Sequence, residues 1–170
     1  MKIRNMLSED LVEVFRIQSE CFKADLAESN ESIITKFRES PEYCFVAVKD
    51  SKILGYTLAL PMRTGEILPL NDTEYTIPAD ADSIYLHDMA VSPSARKLGV
   101  APALMNALFE VAKMKGFATT YLIAVSGAAT YWSRHGFEAV EVDEVMKQSL
   151  AKYGDDAVYM VKTEQGLNEH

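Results

Sequence analysis

The sequence predicts an α/β fold built on a mixed, mostly antiparallel central sheet flanked by helices. Two observations carry this. Tyr43–Lys49 and Lys52–Pro61 are apolar runs separated only by Asp50-Ser51, the pattern of an antiparallel hairpin. Farther on, Ser83–Val91 leads through a Gly-containing turn into an amphipathic helix reaching Lys115, and the chain returns to the apolar run Thr120–Val125. Hairpin first and helical crossover after combine antiparallel and parallel pairing in one sheet.

The remaining elements fall into place around this frame. Lys2–Met6 reads as a short strand, and Ser8 is placed to cap a helix whose inner face carries Leu11, Val14, Phe15, Ile17 and Cys21-Phe22. A second helix is expected over Asn30–Glu39, with Ile33, Ile34 and Phe37 inward and Pro41 beyond its end. Gly65–Asp82 interrupts the pattern with Pro69, Pro78 and five carboxylates; it is either an acidic loop over a substrate mouth or a solvated insertion. Leu104, Leu108 and Val111 form the stripe of the crossover helix, which Gly116 ends. Ala128–Arg134 is a short helix, Phe137–Val142 a strand, Val145–Lys152 helical and Ala157–Lys162 the last strand. One domain over residues 1–165 and a frayed tail at 166–170 are expected.

Composition narrows the function. The chain has 170 residues, 48% of them hydrophobic and 25% charged, as in ordinary globular proteins. A net charge of −8 argues against nucleic acid as a partner, because phosphate neutralisation needs a basic surface. Cys21 and Cys44 are too few for a disulfide scaffold, and the first residues show no secretory signal, so a cytoplasmic location is expected. Gly116–Ser133 carries no charge, but its serines, threonines and Gly127 make a poor membrane span, and no membrane partner is expected. His87, His135 and His170 lack metal-ligand spacing.

The most informative stretch is Arg96-Lys97-Leu98-Gly99-Val100-Ala101, between the strand Ser83–Val91 and the crossover helix. A Gly turn at a helix start presents unpaired N–H groups and the positive end of the helix dipole, which together suit phosphate. Gly99 permits close approach to the main chain, small Ala101 keeps the mouth open, and Pro102 suits the first helical turn.

The spacing Arg96-x-x-Gly99-x-Ala101 resembles the Arg/Gln-x-x-Gly-x-Gly/Ala motif of the GNAT (GCN5-related) N-acetyltransferases, and the element order resembles that family across nearly the whole chain. The resemblance implies acetyl-CoA as co-substrate. Arg96, Lys97, Leu98, Gly99, Val100 and Ala101 would hold its pyrophosphate, and the backbone of Met89, Ala90 and Val91 its pantetheine arm. It also implies acetyl transfer to a primary amine, on a small molecule or a protein, with oligomeric state open between monomer and homodimer.

Tyr85-Leu86-His87-Asp88-Met89-Ala90-Val91 is similar to the His-Leu-His-x-Leu-Ala-Val strand of the arylalkylamine N-acetyltransferases, with His87 at the second His and Tyr85 replacing the first. An imidazole titrates near neutrality, so His87 is the candidate base for the amine, against the alternative of a packed histidine. Strict alternation puts Tyr85, His87 and Met89 on one face and Leu86, Asp88 and Ala90 on the other. Asp88 is then a second candidate base or a structural partner.

Tyr131-Trp132-Ser133-Arg134-His135-Gly136-Phe137 resembles the family's Phe-Tyr-x-x-x-Gly-Phe close, whose Tyr gives a proton to the CoA thiolate. Here Trp132 occupies that position, and an indole N–H donates a hydrogen bond but not its proton. Tyr131 would serve as acid after a rotation of the helix, water would, or both aromatics simply wall the cofactor site. This departure keeps a second function open, a non-catalytic acyl-CoA-binding sensor. Acetyl transfer by direct attack in a ternary complex is the first reading, since no activated nucleophile is visible.

Overall fold

A computed structural model of the chain describes residues 1–24 and 26–164, so the expected tail at 166–170 lies outside the described residues. Among the described residues seven strands form one sheet: β1 (Lys2–Asn5), β2 (Phe45–Lys49), β3 (Lys52–Met62), β4 (Ser83–Val91), β5 (Thr119–Ala124), β6 (Glu138–Ala139) and β7 (Val158–Thr163). Their order is β1-β2-β3-β4-β5-β7-β6. Every neighbouring pair is antiparallel except β4 and β5, which the crossover helix joins in parallel. The mixed, mostly antiparallel sheet expected from the sequence is the sheet observed.

Within the same residues five α-helices accompany it: α1 (Leu11–Cys21), α2 (Asn30–Glu39), α3 (Val100–Met114), α4 (Ala129–Ser133) and α5 (Glu144–Ala151). Among the described residues no helix is long and apolar enough to cross a membrane. One face of the sheet packs on α3 through Ala47, Ala59, Ile84, Leu86, Leu104 and Leu108. The opposite face packs on α1 and α2 through Val14, Ile17, Ile33, Phe37, Tyr56 and Leu58. Along β3 these contacts alternate, as the pleat requires: Ala59 joins the α3 side while Tyr56 and Leu58 join the other.

Several local expectations need correction. Ser8 is not the cap of α1. One 3-10 turn, Ser8–Asp10, precedes that helix, and the Asp10 carboxylate accepts the Leu7 N–H at 2.7 Å while pairing with Arg4. The strand expected from Tyr43 begins at Phe45, because Pro41–Tyr43 forms a 3-10 turn. The strand expected over Phe137–Val142 shrinks to Glu138–Ala139: Phe137 turns into the core, and the pairing with β7 covers two residues.

The most consequential departure is a bulge. Leu58 pairs with Asp88 but Ala59 pairs with Leu86, which leaves His87 as an extra, unpaired residue in β4. Alternation therefore breaks at His87. Ile84, Leu86, Met89 and Val91 face α3, whereas Asp88 reaches Tyr56 and His87 reaches Glu28 on the α1–α2 side. The expected sharing of a face by His87 and Met89 is thus overturned, and His87 and Asp88 lie on one side.

Close approach of β3, β4 and α3 depends on Gly55, opposite Val91. A Cβ there would sit 2.8 Å from the Ala90 carbonyl oxygen and 3.1 Å from Val100 Cγ1. Since the nearest atom is backbone, Gly55→Ala should cost about 1–3 kcal/mol in denaturant unfolding through overpacking. Unchanged stability would show that the three elements are not closely pressed there.

Candidate active site

Pairing between β4 and β5 is confined to Ile84↔Thr120 and Tyr85↔Tyr121. The Tyr85 and Tyr121 rings stack on this last rung with centroids 4.9 Å apart. Beyond it the strands part, just where the His87 bulge turns β4. The β5-facing peptide groups of the rest of β4 consequently have no strand partner. Between the strands lies a cavity of about 630 Å³, walled by Leu86 to Val91 on one side and Leu122, Ile123 and Val125 on the other.

The open end of this cleft meets the turn into α3. Lys97 and Gly99 both have left-handed backbones, φ 69° and 76°, which throws the intervening Leu98 outward to 54% exposure. A Cβ on Gly99 would touch nothing within 4 Å, so the space over its main chain is free for a ligand. The first N–H groups of α3, from Val100 and Ala101, have no intrahelical acceptor, and Pro102 has no N–H to satisfy. A second cavity of about 420 Å³ covers this turn. Val91, Arg96, Ala101 and Tyr131 line both cavities, which makes them one seam.

At the inner end lies a buried polar cluster. His87 Nε2 meets Glu28 Oε1 at 2.5 Å, with both side chains almost wholly buried. Glu28 Oε2 also takes hydrogen bonds from Ser32 Oγ at 2.6 Å and from the Asn71 N–H at 3.1 Å. Lys36 Nζ, with 0% side-chain exposure, lies 3.3 Å from Glu28 Oε2, 2.7 Å from Ser32 Oγ and 3.2 Å from His87 Nε2. Burial alone would raise the Glu28 pKa, but His87, Lys36 and Ser32 together hold it at about 2. Burial lowers the Lys36 pKa despite the opposing carboxylate. An ionised carboxylate only accepts, so His87 Nε2 carries a proton toward Glu28. Nδ1 is buried and has no hydrogen-bond partner.

Asp88 is engaged differently. Its Oδ2 accepts from the Tyr56 hydroxyl at 2.5 Å. Burial raises its pKa, and the hydrogen bond from Tyr56 only partly opposes that. Asp88 is thus a buried carboxyl hydrogen-bonded to Tyr56.

On the far wall stands α4. Tyr131 lines the seam without any rotation of the helix, with its ring 5.2 Å from Trp132 and 4.8 Å from His135. Burial raises the Tyr131 pKa, so its phenol keeps its proton. Trp132 also borders the large cavity, while its ring packs edge-on against Phe137 at 5.6 Å. The segment Gly65–Asp82 reaches the cavity only through Leu70. Three of its five carboxylates are engaged elsewhere: Asp80 and Glu66 pair with Arg63, and Asp82 accepts from Thr64.

Sequence reasoning missed Glu28, Ser32 and Lys36. One signal was present, because Lys36 falls between Ile33 and Phe37 on the inward stripe of α2, where a lysine must find a buried partner. Removing that partner tests the cluster: Lys36→Met should cost about 3–5 kcal/mol in urea unfolding, since it strips a buried carboxylate of its cation. Because the Glu28 pKa is depressed in the fold, its contribution is complete above the ordinary value of 4.5 and is lost as pH falls toward about 2. Wild-type stability should therefore fall over that window. A cost below 1 kcal/mol for Lys36→Met would contradict the pairing.

Comparison with known proteins agrees with this geometry. Residues 11–137, well over half of the chain, match the family model described as "Acetyltransferase (GNAT) family". An uncharacterised N-acetyltransferase of Bacillus subtilis (strain 168), YkwB, is 27% identical over 123 residues, which are 65% of this chain and 54% of that protein. The chain thus spans about half the length of that curated relative. Among solved structures, the loading GNATL domain of CurA from Lyngbya majuscula superposes with a TM-score of 0.80 at 12% identity, covering 99% of this chain and 98% of that one. Ard1 from Thermoplasma volcanium gives 0.72 at 18% identity over 96% and 97%. The PaiA N-acetyltransferase of Thermoplasma acidophilum, solved with coenzyme A, gives 0.67 at 15% over 95% and 98%. At these identities the structures establish the fold, and with the family match over residues 11–137 the chain belongs to the GNAT acetyltransferase family.

Proposed function

We propose that the protein transfers an acetyl group from acetyl-CoA to a primary amine by direct attack in a ternary complex. The observation that carries this reading is the seam running from the Gly99 turn, along the unpaired edge of β4, to the wall at His87. Acetyl-CoA would supply a thioester carbonyl as electrophile and a thiolate as leaving group. The residues fit such a ligand, because the open space over Gly99 and the free N–H groups of Val100 and Ala101 suit a pyrophosphate. Arg96, Lys97 and Leu98 border the same turn. The exposed peptide edge at Met89, Ala90 and Val91 suits an amide-bearing arm, and Trp132 walls it.

His87 has the base's role. Glu28 accepts a hydrogen bond from Nε2 and orients the ring, and the imidazole would take the proton that the amine must lose. Glu28 is thus a positioning residue. Tyr131 holds a proton on the opposite wall, where a departing thiolate needs one. This supports catalysis over the acyl-CoA sensor, which Trp132 had favoured by standing in the donor's place. An acetyl-enzyme on cysteine is disfavoured, because burial pushes the Cys44 thiol up to about 12 and raises that of Cys21.

The test is thiol release from acetyl-CoA with an amine as pH is varied. Wild-type kcat/KM should fall on the acid side, where a base that must accept the amine's proton is already protonated. His87→Ala should lose about 10²–10⁴-fold in rate and flatten that limb. A variant retaining both the rate and the limb would move the base elsewhere.

A further inference from the structure

We infer that Asn71 is a positioning residue for the reaction, its main-chain N–H fixing the Glu28 carboxylate that orients His87. This rests on the proposed acetyl transfer with His87 as base, and adds how the base is aimed.

The need for such a residue arises at Glu28. The last torsion of a glutamate is broad and roughly two-fold, so a hydrogen bond to one oxygen does not fix the carboxylate plane. Oε1 meets His87 Nε2, and the plane is then set by what meets Oε2. Ser32 Oγ and Lys36 Nζ reach Oε2 from α2, the helix that begins just after Glu28, and they move with it. The Asn71 N–H reaches the same oxygen at 3.1 Å from the segment that joins β3 to β4. Among the described residues, this is the contact to Oε2 that ties the carboxylate to the sheet carrying His87.

The backbone at Asn71 is shaped to deliver that N–H. The Asp72 N–H closes a turn onto the Pro69 carbonyl at 3.2 Å, and Asn71 is its third residue, with φ 65°. Asn enters this left-handed region readily for a residue with a side chain, and a β-branched residue is an outlier there. Both flanks of the turn are held. Asn71 Oδ1 accepts the Ser29 N–H at 2.6 Å, and Ser32 Oγ lies 3.0 Å from the Asp72 carbonyl. On the other side, Tyr153 Oη donates to the Leu68 carbonyl and Tyr121 Oη to the Glu66 carbonyl, each at 2.5 Å.

The experiment compares Asn71→Gly, which keeps the positive φ and the N–H, with Asn71→Val, which does not fit the turn. Proton NMR of the His87 ring N–H, assigned by its loss in His87→Gln, reads the bond to Glu28 without turnover. Thiol release gives kcat, and calorimetry gives CoA affinity. Asn71→Val should lose that resonance or shift it upfield and lower kcat about tenfold, the scale of one hydrogen bond to a charged group, with CoA affinity changed less than about twofold. Asn71→Gly should keep the resonance and lose less than about threefold in kcat. A folded Asn71→Val with resonance and kcat unchanged overturns the inference, and so does equal loss in both variants. Should Asn71→Val not fold, amide exchange decides. Although Asn71 is exposed, its N–H should exchange slowly in the wild type and faster in Glu28→Gln; rapid exchange in the wild type overturns the inference. Loss of the resonance in Asn71→Val, with a wild type that releases no thiol, supports the aiming of His87 and overturns acetyl transfer. Wild-type turnover that Asn71→Val leaves intact overturns the role of Asn71 and leaves acetyl transfer standing.

Discussion

One extra residue in β4 organises the site. A bulge bends and further twists its strand, and here it falls directly after the last rung shared by β4 and β5. The parallel strands separate from that point, opening a cleft in the middle of the sheet without breaking its antiparallel half. The same bulge turns His87 and Asp88 to one side while Met89 and Val91 remain on the other. A regular strand would have closed the cleft and set those two side chains on opposite faces. Gly55 and the Gly99 turn are then consequences of the same crowding, since α3 must begin against the end of β4.

The cleft in turn demands an electrostatic solution. Glu28, Lys36 and His87 are each nearly or wholly buried, and every one of them would be unfavourable alone. Together they give a carboxylate with a cation, a serine and a backbone N–H about it, and an imidazole with one nitrogen committed. The contacts that make burial of Glu28 tolerable are also those that orient His87.

Much of the fold was legible in the sequence. The spans Asn30–Glu39 and Ser83–Val91 match the observed elements residue for residue, because helix and strand periodicities are local properties with clear stops. The Gly99 turn was legible for the same reason: strand, glycine and helix start lie within one short segment. The active side of the site was much less so. A bulge leaves no mark on the pattern of apolar residues, so strict alternation assigned His87 and Asp88 to opposite faces. Glu28 and Asn71 lie 59 and 43 residues from their partners, His87 and Glu28 respectively, and only tertiary contact brings them together. For Tyr131, sequence position suggested a helix in need of rotation, whereas the backbone of α4 already presents it to the seam.

The central claim is that the parted strands and the Gly99 turn form one binding seam for acetyl-CoA. Titrating the isotopically labelled protein with acetyl-CoA and following backbone amide resonances tests it most directly. Saturable shifts should concentrate at Met89 to Val91 and Lys97 to Ala101, with smaller changes at Tyr131 and Trp132. Shifts confined to the groove between β7 and α5, or no saturable change at all, would contradict it.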